Sequence, residues 1–241
     1  MALLDGIRGV IVGVGHGMGR SIALSMAREG ALIGLISRNR GRLESICREV
    51  EGLGSKCYYE TADATDPTGL SKAAQRISSK LGGVDVLVYN AGGWFSLDGI
   101  EAIDEDFMIN AYRTNVLGFF NSVKAFLREV EESRGVIIAI SASPKTILAG
   151  NVAYASSKGG LIWMVKRLAK ELGQRGIRVA CIGPGPTSKD PSPLEPSDPG
   201  LLDPQPHPAV YVGEAVVAIA SRKLYRLTGE CVSIDGGLSI P

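Results

Sequence analysis

Short β-branched apolar runs alternate with stretches of helical spacing along most of this chain, and that alternation constrains the fold more than any other feature. Val10 to Gly13 is one such run, ending in a glycine cluster, and Ser21 to Glu29 then sets Ile22, Ala23, Met26 and Ala27 at helical intervals. The pattern recurs with strands expected at Leu32 to Ile36, Lys56 to Thr61, Val84 to Tyr89, Gly135 to Ile140, Arg178 to Ile182 and Glu230 to Ile234. Helices are expected at Arg42 to Glu51, Leu70 to Lys80, Asp104 to Glu131 and Tyr154 to Gln174. Right-handed crossovers turn such a series into an α/β fold, a doubly wound parallel sheet of about seven strands with helices on both faces.

The 241 residues suffice for one substantial core, so one domain over 1–241 is expected. With 45% hydrophobic residues, 21% charged and a net charge of +1, the composition argues against disorder and against a grip on nucleic acid. A small-molecule partner is expected instead. Cys47, Cys57, Cys181 and Cys231 lie far apart with no C-x-x-C pair or histidine cluster, so neither a metal site nor a disulfide framework is expected. Met1 to Arg8 lacks a basic segment before an apolar run, and no later run approaches the roughly eighteen residues of a spanning helix, so no membrane partner and a cytoplasmic location are expected. Between Pro184 and Pro208 prolines recur too densely for helix or central strand, which predicts a long exposed loop, either a lid over a site or a spacer.

The first turn, Val12-Gly13-Val14-Gly15-His16-Gly17-Met18-Gly19, stands between strand and helix. Glycines there admit positive φ and a close approach of backbone to a pyrophosphate, whose charge meets the positive end of the helix. At the end of the second strand an acidic residue would bond ribose hydroxyls and repel a 2′-phosphate; Ile36-Ser37-Arg38-Asn39-Arg40 has none. Ser37 and, above all, Arg38 suit a phosphate, which points to NADP(H) with NAD possible; a solvated helix start is the other reading of Arg38, Arg40 and Arg42.

Gly13-x-x-x-Gly17-x-Gly19, Asn90-Ala91-Gly92 after the fourth strand, Tyr154-x-x-x-Lys158, Pro184-Gly185, and Thr228-Gly229 through Asp235-Gly236-Gly237 together resemble the short-chain dehydrogenase/reductase family across essentially the whole chain. The resemblance implies a Rossmann-type fold and hydride transfer between a nicotinamide dinucleotide and a carbonyl or alcohol. It further implies that His16 marks an NADP-preferring turn, that Asp63 and Ala64 contact adenine (an N-cap is the other reading of Asp63), and that Thr187 stands in for a carboxamide contact where Lys189 occupies the usual position. Tyr154 becomes the general acid/base. A phenol with an ordinary pKa near 10 is poorly poised at neutral pH, and Lys158, one turn later on the same helix face, is expected to favour the phenolate and reach the nicotinamide ribose. Asn115 matches the asparagine that supports a water leading to that lysine, and Asn90 suits bridging between strands.

The family's substrate-holding serine falls in Ile140-Ser141-Ala142-Ser143-Pro144, where two registers disagree. Counting from Gly135 puts Ala142 in its place, and counting back from Tyr154 puts Ser141 there; Ser141 and Ser143 share a face by strand alternation. Gly93-Trp94-Phe95, Pro144 to Asn151 and the proline-rich stretch should line a substrate pocket, with Trp94, Phe95, Ile147 and Leu148 serving either an apolar substrate or the loop bases. Phe119, Phe120, Trp163 and Met164 exceed one buried stripe, and relatives pair through these helices, so a homodimer or homotetramer is expected. The competing functions are reduction of an enoyl thioester and a non-catalytic dinucleotide-binding sensor or scaffold.

Overall fold

The computed structural model describes residues 2–188 and 206–240. Its strands are β1 (Arg8–Val12), β2 (Leu32–Ser37), β3 (Cys57–Thr61), β4 (Val86–Tyr89), β5 (Val136–Ile140), β6 (Arg178–Pro184) and β7 (Cys231–Ile234). They form a seven-stranded sheet in the order β3-β2-β1-β4-β5-β6-β7, and every adjacent pair is parallel. The helices are α1 (Met18–Arg28), α2 (Arg40–Gly52), α3 (Pro67–Leu81), α4 (Glu105–Tyr112), α5 (Gly118–Glu132), α6 (Pro144–Ala149), α7 (Val152–Leu172) and α8 (Val210–Ala220). Among the described residues no helix is long and apolar enough to cross a membrane.

The strands read as continuous apolar runs because both faces are covered. Ile11, Ile33, Leu35, Val88, Ile138 and Ile182 pack with residues of α1, α2 and α8 on one face. Their neighbours Val10, Val12, Ile36, Leu87, Ile137 and Val179 pack with α3, α5 and α7 on the other. The expected doubly wound sheet is therefore present. The reversal of strand order between β1 and β4 opens a crevice at the carboxyl ends of the strands, where such sheets bind ligands.

Several expectations needed correction. The expected helix from Asp104 to Glu131 is interrupted: α4 and α5 flank a π-helical stretch, Arg113–Leu117, a widened turn of the kind often found at functional sites. Helix α8 went unseen because Val-Tyr-Val-Gly-Glu-Ala-Val-Val-Ala-Ile-Ala lacks a polar face. It is packed so closely on α1 that a Cβ at Gly213 would lie 2.4 Å from Ser25 Oγ. Strand β6 runs on through Pro184, pairing it with Ile234 on β7, and Thr187 bridges His207. The remainder of the proline-rich stretch, with Lys189 and the expected lid, lies outside the described residues.

The cysteines differ from expectation as well. Cys47 on α2 and Cys57 at the start of β3 form a disulfide, with Cα atoms 5.3 Å apart. The return from α2 into β3 brings together two thiols that no spacing rule links. Cys181 and Cys231 are free thiols, register partners on β6 and β7.

Candidate active site

A cleft of about 1050 Å³ opens at the carboxyl ends of β1, β2 and β4, lined by Gly13 to Gly15, Ser37 to Asn39, Arg42, Asp63, Ala64 and Asn90 to Trp94. Its floor demands glycine. Gly13 has φ +93°, and a Cβ there would fall 2.1 Å from Ala91 N, while one at Gly19 would lie 2.8 Å from Val14 Cα. Gly15 has nothing within 4 Å of its Cβ position, which leaves room on the cleft side. Helix α1 begins at Gly17 and Met18 without a side-chain cap and without an acidic residue in its first turn, so its positive end is available to an anion. These features fit the diphosphate of a dinucleotide. Asn90 Nδ2 donates to Gly13 O at 2.6 Å, the expected bridge between strands, and its buried Oδ1 has no partner. His16 is exposed and does not line the cleft. After β6, Ser188 O comes within 3.8 Å of where a Cβ on Gly17 would stand, so the Pro184 to Thr187 turn approaches the glycine-rich one. Gly185 is held there by Ile234 O at 2.9 Å, and a Cβ on it would meet Asp235 Cβ at 2.9 Å. Thr187 Oγ1 donates to Gly185 O at 3.0 Å.

At the far end, Arg38 is 81% exposed, with its NH1 3.7 Å from Asp63 Oδ2. Asp63 Oδ1 accepts from Thr65 N at 2.8 Å and Thr65 Oγ1 at 2.9 Å, closing a local turn. It does not cap α3; Asp66 does, accepting from Thr68 N at 3.0 Å. The arginines read together in the sequence part company here. Arg40 pairs with Glu44 one helical turn on, whereas Arg42 lines the cleft and its buried Nε lacks a partner, as does Ser37 Oγ. Arg42 was not singled out from sequence, where it stood with Arg38 and Arg40 in the reading of a solvated helix start.

Helix α7 presents Tyr154 and Lys158 from its first two turns. Its N-cap, Asn151, accepts from Tyr154 N at 2.8 Å and donates to Trp94 O at 2.7 Å and Ser96 Oγ at 2.9 Å. The sequence reading placed Asn151 only at the end of the expected Pro144 to Asn151 pocket lining and did not read its capping role, though an asparagine directly before a helix is the ordinary capping signal. The Phe95 ring stands edge-on to Tyr154 with centroids 5.1 Å apart. Trp94 packs edge-on against Phe107 and has φ 73°, a left-handed conformation uncommon for a bulky residue. Leu148 is 82% exposed.

Lys158 is 5% exposed and donates from Nζ to Ile140 O at 3.1 Å. Its ammonium and Asn115 Oδ1 crowd one point, 2.9 and 3.2 Å from a Cβ built on Gly92. Asn115, wholly buried in the π-helical stretch, accepts from Gly93 N at 3.1 Å and donates to Ser157 Oγ at 2.9 Å, tying the Gly92-Gly93 loop to α7. Burial pushes the Tyr154 phenol up to about 12. Burial also pushes Lys158 down to about 8, opposed by the nearby Cys181 and Cys231 thiols. The expected lowering of the phenol by the lysine is therefore not present: Nζ is turned to Ile140 O and stands 6.0 Å from the Tyr154 ring centroid, so desolvation dominates.

Neither serine hydroxyl bonds Tyr154. Ser141 continues the ladder through Ile182 O at 2.8 Å, and its Oγ donates to Lys158 O at 3.2 Å. Ser143 stands at the N-cap position of α6, with its Oγ 3.0 Å from Thr146 Oγ1. Ala142, between them, is buried.

The chain and its fold resemble known proteins. The short chain dehydrogenase family matches residues 9–194. Oxidoreductase UcpA of Escherichia coli K12 is 33% identical over 262 residues, covering 100% of this chain and 97% of that protein. The 7alpha-hydroxysteroid dehydrogenase of Escherichia coli K12 is 35% identical over 189 residues, 76% of this chain and 71% of that one. A solved structure of 7alpha-hydroxysteroid dehydrogenase, complexed with NADH and 7-oxo glycochenodeoxycholic acid, is similar with a TM-score of 0.86 at 28% identity, covering 97% of this chain and 94% of that chain. A short-chain dehydrogenase/reductase from Serratia marcescens gives 0.86 at 28% identity, covering 98% and 99%. The ordered motifs, the parallel sheet and these likenesses make the chain a member of the short-chain dehydrogenase family, an oxidoreductase of the class that works with a nicotinamide dinucleotide.

Proposed function

We propose that the protein interconverts an alcohol and a carbonyl compound with NADP(H), using Tyr154 as general acid/base. The observation that carries this reading is the burial of Tyr154 and Lys158 one turn apart on α7, with Lys158 Nζ against Gly92 of the cleft lining and Tyr154 against Phe95 of the same loop. The bound nicotinamide would supply or accept the hydride. In reduction Tyr154 gives its phenolic proton to the oxygen that becomes the alcohol, and in oxidation it takes that proton back. A phenol held near 12 keeps its proton until the substrate oxygen gains charge. Lys158 must leave Ile140 O to support the resulting phenolate, and Asn115 fixes the loop against which it moves. Ser141 is the better candidate for the substrate-holding hydroxyl, because it sits on the Lys158 carbonyl while Ser143 is engaged with Thr146 in α6.

The preference for NADP(H) rests on Ser37, Arg38, Asn39 and Arg42 lining the cleft end, with Ser37 Oγ and Arg42 Nε buried and unpartnered. A 2′-phosphate would satisfy both. Trp94, Phe95 and Leu148 favour an apolar or ring-bearing substrate, in keeping with the 7-oxo bile acid bound by a structural relative. Exposed Leu117, Phe120 and Trp163 on the outer faces around α5 and α7 favour pairing of two copies.

Titration with NADPH and NADH, followed by nicotinamide fluorescence, tests the cofactor reading. At least tenfold tighter NADPH binding, about 1.4 kcal/mol, is expected, and equal or tighter NADH binding refutes it. On a panel of ketones, Tyr154→Phe should remove most NADPH oxidation with cofactor affinity nearly unchanged. Undiminished turnover in that variant would overturn the role of Tyr154.

A further inference from the structure

A second cleft, of about 510 Å³, lies at the opposite end of the sheet from the dinucleotide cleft, where β4, β5 and β6 begin at Val86, Val136 and Arg178. A strand's length, about 15 Å, separates the two. Arg134, Arg178 and Arg222 line the second cleft together with Ser133, Tyr225 and Asp85. Asp85 is already committed. Its Oδ2 accepts from Arg8 N at 2.8 Å and Arg8 Nε at 2.7 Å, and its Oδ1 accepts from Arg8 NH2 at 2.8 Å. Among the described residues no carboxylate forms a salt bridge with Arg134, Arg178 or Arg222, while other arginines, such as Arg20, Arg76 and Arg175, find one. In a chain whose net charge is only +1, three uncompensated guanidiniums share one concavity.

Local contacts fix two of the three, while Arg134 and Arg222 stay exposed at the rim. Arg134 has φ 50°, a left-handed conformation in the turn between α5 and β5. Its side-chain stem lies against Gly176, itself left-handed at φ +81°, where an added Cβ would come 3.3 Å from Arg134 Cγ. Arg178 is half-buried, stacked 5.9 Å from the Tyr225 ring centre, and donates to Leu224 O at 3.1 Å. Burial lowers its pKa, with no carboxylate opposing the shift.

We propose that this cleft binds a small multivalent oxyanion, a phosphate- or carboxylate-bearing metabolite, held by the guanidiniums of Arg134, Arg178 and Arg222. Planar guanidinium forks match the paired oxygens of both head groups, and the volume accommodates a molecule larger than the anion itself. The site is independent of the dinucleotide cleft and of the proposed reaction.

Calorimetric titration of the full chain with inorganic pyrophosphate, and separately with citrate, tests this. The variants are Arg134→Asn with Arg222→Ser, asparagine being chosen because it tolerates the left-handed backbone, and Arg38→Ser in the dinucleotide cleft. The single Arg222→Ser variant serves if the double one fails to fold. At least one probe should bind the wild type, lose tenfold or more in affinity in the double variant or a clear part of it in Arg222→Ser, and keep its affinity for this site in Arg38→Ser. The preferred probe names the head group. Absence of binding by both probes, binding undiminished in both the double variant and Arg222→Ser, or loss confined to Arg38→Ser or equal in both clefts' variants, would overturn the proposal.

Discussion

Burial sets the protonation of the two groups on α7 in opposite directions, and stability should report it. Lys158 falls from 10.5 to about 8 on folding. Between about pH 8 and 10.5 the unfolded chain therefore binds more protons, and unfolding free energy rises with pH across that window by up to about 3 kcal/mol; below pH 8 the full penalty remains. Tyr154 works the other way above pH 10, because its folded value is raised to about 12. Lys158→Met should lose the rise, as measured by urea midpoints at pH 7.5 and 10; identical slopes for wild type and variant would refute the assignment. For the serines, Ser141→Ala should lower turnover on the order of a hundredfold, as loss of an oxyanion donor does, and Ser143→Ala far less. Turnover of both variants on one carbonyl substrate decides the register. At this scale the sequence singled out Tyr154 and Lys158, paired one turn apart, and the glycines, whose backbone freedom is local; Asn115 was singled out only through the family resemblance. It was silent on Arg42 against Arg40 and on Ser141 against Ser143, because each choice depends on which neighbour a side chain meets.

Helix α7 shows how an element carries a site. Its cap, Asn151, joins the first turn, which holds Tyr154, to the Trp94 to Ser96 loop. Asn151→Ala should cost about 1 kcal/mol for the cap alone, and it should also free that loop and the Phe95 ring against Tyr154. The expected outcome is a modest fall in melting temperature with a larger fall in kcat than in cofactor affinity; a fall in stability alone would confine Asn151 to capping. Elements were legible where amphipathic spacing was strong, as in α1 and α3, and hidden where burial removed it. Helix α8 is apolar nearly all round. The π-helical turn at Arg113–Leu117 carries Asn115, bonded to Gly93 and Ser157, contacts that local propensity does not record.

Across the whole molecule, the disulfide between Cys47 and Cys57 ties α2 to β3, the edge strand of the sheet. With a sequence separation of 10, chain-entropy arguments give it about 3 kcal/mol. Cys47→Ser should lower the urea unfolding free energy by that order under non-reducing conditions, and a reductant should bring the wild type down to the variant's value; equal values for the oxidised wild type and the variant would show that the bond adds nothing. The succession of strands along the chain, the doubly wound class and the glycine-rich first turn were legible in the sequence itself, because hydrophobic period, glycine placement and right-handed crossovers act locally or between neighbouring segments. Only the tertiary structure decided which thiols meet, which serine faces α7, where Lys158 points and how three arginines from separate connections come to share one cleft. Those outcomes depend on contacts between residues distant in sequence, whose cost and geometry exist only once the sheet has been assembled.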